Sequence, residues 1–82
     1  MTKRIMVVED NDLNRKLFCD VLKANGFEAL GVADGESVLE TALNHTPHLI
    51  VMDIQLPGVS GVDLIAAAQQ DTRLKSIPIL AV

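Results

Sequence analysis

Eighty-two residues hold one small domain at most, and with 49% hydrophobic residues the chain has enough apolar side chain to pack a core. A formal net charge of -4 offers no clustered Lys and Arg for nucleic acid, and no apolar run approaches the roughly 20 residues that span a bilayer. The N-terminal MTKR runs straight into a short apolar stretch without a signal-peptide core, so a cytoplasmic protein is expected.

Ile5 to Val8 form an unbroken apolar run, the pattern of a strand buried on both faces of a parallel sheet, and acidic residues end it at once. Behind EDND, Leu13, Leu17 and Val21 recur at fourfold spacing beside Phe18 and Leu22 and mark one helical face. Asn11 or Asp12 suits its N-cap and Gly26 its C-terminal turn. Cys19, the single cysteine, excludes an intrachain disulfide and reads as a small helical residue.

Phe27 to Val32 predict a second, more peripheral strand, and Asp34 with Gly35 punctuates after it. Val38, Leu39, Ala42 and Leu43 supply the stripe of a second helix that must be over by Pro47. His45 and His48 flank that proline, cannot share a helical face, and lack a third ligand at zinc-like spacing, so surface or capping roles are expected. Leu49 to Met52 predict a third strand, which ends on Asp53. Pro57 and Gly58 signal a turn, Ser60 suits a third N-cap, and Val62, Ile65, Ala66 and Ala68 place apolar groups along a third helix. Pro78 opens the last strand, PILAV.

The order β-α-β-α-β-α-β with short connections selects an α/β fold, an open, doubly wound parallel sheet with right-handed crossovers. In the flavodoxin-like order 2-1-3-4-5 the first and third strands are neighbours, and their C-terminal ends border the switch point where such sheets bind ligands. Asp10 and Asp53 should therefore meet there. With Glu9 they form a set of anionic oxygens that repel one another unless a cation compensates. Oxygen-only ligands suit Mg2+, which would also neutralise charge on an incoming phosphoryl group.

The same residues do not fit other chemistries. Asp10, Asp12 and Asn14 fit the first ligand positions of an EF-hand, but Arg15 and Val21 stand where Gly and Glu are needed. A haloacid-dehalogenase-like phosphatase would use Asp10 as nucleophile and Asp12 as acid, yet Leu13 and Asn14 replace its Gly-Thr continuation. A flavin site of the same fold would set the FMN phosphate against EDND.

The stretches VVEDNDLNRKLF, DG at Asp34 and Gly35, HLIVMDIQLPGVSG and IPILAV resemble the receiver domain of two-component response regulators, over all 82 residues. Within that family the chain is most similar to single-domain regulators of cell division. The resemblance implies that Asp53 is the phosphoacceptor, Asp10 a direct Mg2+ ligand, and Glu9 a ligand acting through water. It also implies that the backbone carbonyl of Gln55 completes the protein ligands and that Pro57 and Gly61 shape the loop into the third helix. The donor would be a histidine kinase or histidine phosphotransfer protein, docking near Asn14, Arg15 and Phe18, and the output a contact with a downstream protein. No nucleic acid or membrane partner is implied.

The family's hydroxyl residue after strand four and its Lys after strand five lie outside this sequence. A complete receiver has five strands and five helices, so residues 1–82 are read as its N-terminal two-thirds, without the fourth helix, fifth strand and fifth helix. A chain of that extent is expected to self-associate through its uncovered edge. An interaction module independent of phosphorylation is the alternative function.

Overall fold

A computed structural model describes residues 2–53 and 61–81. Its elements run β1 (Arg4–Val8), α1 (Asp12–Ala24), β2 (Glu28–Val32), α2 (Val38–His45), β3 (Leu49–Met52), α3 (Gly61–Gln70) and β4 (Ile79–Ala81). The strands form one parallel sheet in the order β2-β1-β3-β4. This is the doubly wound α/β arrangement that the strand and helix alternation predicts.

Alternation along β1 divides the core between the two sheet faces. Ile5 and Val7 pack with Cys19 of α1 and with Leu22, Ala29, Leu49 and Val51. Met6 and Val8 point the other way, into a larger cluster with Val38 and Ala42 of α2, Leu64 and Ala68 of α3, and Ile50 and Met52 of β3. Both faces of the central strands are thus covered, which is why their sequences are continuously apolar.

The ends of α1 are set by local chemistry. Asn11 is the N-cap, its side-chain oxygen accepting the N–H of Asn14 at 2.9 Å. At the other end Gly26 takes φ +89°, its N–H donates to Lys23, and the N–H of Phe27 donates to Leu22, the paired bonds of a Schellman turn. Pro47 follows α2 as expected, after Thr46 in the left-handed region. His48 Nδ1 accepts the backbone N–H of Arg4 at 3.0 Å and the carbonyl of His45 accepts the Arg4 guanidinium, so both histidine positions tie down the start of β1.

Two helical faces differ from the sequence reading. On α1 the stripe Leu13, Leu17, Val21 is exposed among the described residues, and the face that meets the sheet carries Cys19, Leu22 and Arg15. On α3 the buried residues are Gly61, Leu64 and Ala68, whereas Val62 and Ala66 are exposed and Ile65 is half-buried. In both helices apolar residues occupy more than one face, and the sequence period does not say which one the sheet takes.

Candidate functional site: an acidic cleft at the ends of β1 and β3

Register brings the site together. Val8 of β1 lies opposite Met52 of β3 and Val32 of β2, so Glu9 and Asp53 are the first residues beyond paired strands. The ladder extends one bond further on each side: the N–H of Asp53 donates to Val8 at 3.1 Å and the N–H of Glu9 to Val32 at 3.0 Å. Three carboxylates therefore leave the same edge of the sheet. One oxygen from each of Glu9, Asp10 and Asp53 lies within 4.8 Å of the other two.

The three differ in their surroundings. Glu9 is 7% exposed, the one charged residue in the core among those described, and its Oε1 accepts the N–H of Asn11 at 3.2 Å. Asp53 is half-buried and Asp10 is exposed. Two unit charges about 5 Å apart repel by roughly 1 kcal/mol even in bulk water, and by more where burial lowers the dielectric. The fold holds them together through backbone hydrogen bonds, and the donor set, three hard anionic oxygens around one cleft, fits a divalent cation such as Mg2+.

The remaining predicted residues are placed unevenly. Gln55 and Pro57, and the Ser60 cap, lie outside the described residues. Gly61 is the buried first residue of α3. Asn14 and Phe18 are exposed on α1, where they line a shallow apolar groove with Leu17 and Val21. Arg15 turns inward instead: its Nη1 donates to the carbonyl of Glu9 at 2.9 Å and its Nη2 pairs with Asp12. Gly31 of β2, which the sequence reading passed over, lies under that side chain. A glycine inside a strand pattern is the signal that marks such a close approach.

This arrangement, a parallel sheet in the order 2-1-3-4 with carboxylates at the ends of β1 and β3, agrees with a match to the family model of the response regulator receiver domain over residues 5–82. The chain belongs to that family. It is 48% identical over 82 residues to the polar-differentiation response regulator DivK of Brucella ovis, covering 100% of this chain and 67% of that protein. DivK of Brucella anthropi is 46% identical over the same coverage. The chain thus spans about two thirds of the length of the curated relatives it matches.

Solved structures agree on the fold. The chemotaxis response regulator CheY4 of Vibrio cholerae superposes with a TM-score of 0.93 at 25% identity, covering 99% of this receiver and 68% of that chain. The receiver domain of a sensor histidine kinase from Pseudomonas aeruginosa, solved with a magnesium ion coordinated in its active-site cleft, gives a TM-score of 0.90 at 27% identity, covering 99% of this chain and 66% of that one. No helix among the described residues is long and apolar enough to cross a membrane.

Proposed function

We propose that this receiver accepts a phosphoryl group from a phosphohistidine on the carboxylate of Asp53, with Mg2+ held by Asp10 and Asp53 directly, by the carbonyl of Gln55, and by Glu9 through water. The observation that carries the reading is the convergence of the Glu9, Asp10 and Asp53 carboxylates within 4.8 Å at the C-terminal edge of β1 and β3. When bound, Mg2+ would offset the negative charge of the phosphoryl oxygens and of the attacking carboxylate.

The chain's own residues supply the rest. An Asp53 oxygen forms the new P–O bond as the P–N bond of the donor breaks, and the departing imidazole nitrogen keeps the electron pair and is left neutral or takes a proton. The β3 backbone, fixed to Val8 by the N–H of Asp53, keeps that oxygen at the mouth of the cleft. Such positioning is the main contribution a protein makes to phosphoryl transfer.

The partners that follow are a histidine kinase or histidine phosphotransfer protein as donor and a downstream protein as target, in the cytoplasm. We place the donor over the cleft, beside Asn14, Arg15 and Phe18. Pro57 and Gly61 would shape the loop that links the cleft to α3. Among the described residues β4 pairs only with β3, and its exposed Leu80 favours self-association through that edge.

The test is labelling by a small acyl phosphate with Mg2+. Asp53→Asn should abolish it, and Mg2+-dependent labelling that persists in this variant would refute the assignment. Retained labelling with loss in Asp10→Asn alone would favour Asp10 as nucleophile.

A further inference from the structure

We propose that Arg15 is a positioning residue for the acidic cleft, and that the missing side chain of Gly31 is what allows it to act. This rests on the reading of Glu9, Asp10 and Asp53 as a metal-binding set.

The turn between β1 and α1 carries two of the three carboxylates, and Glu9 is its fixed point. Its N–H donates to Val32 at 3.0 Å, its carboxylate accepts the N–H of Asn11 at 3.2 Å, and its carbonyl accepts Nη1 of Arg15 at 2.9 Å. The third of these bonds comes from a side chain, reaching back from the first turns of α1. Nη2 of the same guanidinium pairs with Asp12, which sits directly after the N-cap Asn11. One rigid, planar group therefore clamps the turn at both ends, before and after Asp10.

The clamp needs room over β2. A Cβ built on Gly31 would stand 3.0 Å from Cδ and 3.1 Å from Cγ of Arg15. The aliphatic stem thus lies against bare backbone, and even a single added Cβ would require it to give by a few tenths of an ångström. Stability alone does not account for the arrangement. The Asp12 side chain is 91% exposed and that of Arg15 22%, and a surface pair of this kind contributes little to folding. What the geometry does achieve is to fix the carbonyl next to Asp10.

A charge effect and a positioning effect predict opposite outcomes, which makes the claim testable. If Arg15 acted only as a positive charge near the cleft, Arg15→Lys would leave Mg2+ affinity unchanged and its removal would raise affinity. As a positioning residue it cannot be replaced by Lys, whose single ammonium does not bridge both ends of the turn. Arg15→Lys and Gly31→Val should each weaken Mg2+ binding by about tenfold, as loss of supporting contacts around metal ligands does. Because both disturb one contact, the double variant should lose no more than either single one.

The measurement is calorimetric titration of the protein with Mg2+, together with amide exchange of Asn11 in metal-free protein, which should accelerate in both variants as Glu9 loosens. Where Gly31→Val fails to fold, Gly31→Ala serves, with a smaller loss. Wild-type affinity and wild-type Asn11 exchange in Arg15→Lys would overturn the proposal, as would losses that multiply in the double variant. Failure of the unmodified protein to bind Mg2+ would instead defeat the metal reading, while the Asn11 amide would still judge the role of Arg15.

Discussion

The backbone N–H of Asp53 donates to the carbonyl of Val8 across 3.1 Å, so β3 and β1 are tied together where they give way to the cleft, the first residue beyond β3 to the last of β1. The carboxylates beyond them therefore inherit the precision of a sheet ladder. Their mutual repulsion is a cost of the folded state, because the unfolded chain separates Asp10 from Asp53.

Relieving that repulsion should be measurable. Asp10→Asn is expected to stabilise the metal-free protein by about 1 kcal/mol while weakening Mg2+ binding at least tenfold. Thermal melts followed by circular dichroism, with and without Mg2+, read both effects, since added Mg2+ raises the stability only of a protein that binds it. The chain has no Trp or Tyr, so intrinsic fluorescence is a poor alternative. A destabilised metal-free variant would mean that the carboxylates do not oppose one another.

Phe18 is 44% exposed and borders the apolar groove of α1 with Leu17 and Val21. Phe18→Ala should slow phosphoryl transfer from a histidine phosphotransfer domain by about tenfold, the loss of one well-packed aromatic contact, and leave labelling by a small acyl phosphate almost unchanged. Equal losses from both donors would argue that Phe18 supports the fold and does not touch the partner.

Acid should weaken the turn after α3. The Arg73 side chain donates to both oxygens of Asp71, the Arg73 backbone N–H adds a bond at 2.8 Å, and these hold the Asp71 carboxyl below the usual range. A lowered folded value means that the contribution is complete above the unfolded value, about 4, and is lost as pH falls through the lower folded one. A carbon-detected NMR titration should find Asp71 titrating below an ordinary aspartate, and Arg73→Ala should return it part of the way, because the backbone N–H of residue 73 still donates to it. The Arg73 side chain is 68% exposed and that of Asp71 25%, so solvent screens the pair and the effect on global stability is small.

Ile50 lies in the middle of β3, 2% exposed, and packs into the cluster that joins α2 and α3 to the sheet. Ile50→Ala should cost about 3 kcal/mol, a large share of the stability of a small domain. Urea unfolding followed by circular dichroism measures it, and a loss below about 1 kcal/mol would mean that the cluster can close around the gap.

The elements that were most legible in the sequence are those whose burial is two-sided. β3 is Leu49–Met52 in sequence and structure alike, because a strand covered on both faces has no polar residue to blur its ends. The meeting of Asp10 with Asp53 followed from two such strands and the rule for parallel neighbours. Helix orientation was less legible: α1 carries apolar residues on the exposed face of Leu17 and on the buried face of Cys19, and only the partner decides between them. The inward turn of Arg15 was hidden for a related reason. Its position depends on an absent side chain at Gly31, and long-range register, not local pattern, brings those two residues together.

Strand order also governs when the cleft can come into being. β1 is made first but sits between β2 and β3, so as the chain emerges during synthesis it must wait for α1, β2 and α2 before β3 reaches it. Non-local pairing of this kind is slow, because the intervening loop is closed before any contact repays it. Glu9 and Asp10 thus remain apart from Asp53 until β3 has been made and has paired with β1. Arrival of β3 should be the step at which a growing chain first gains affinity for a divalent cation.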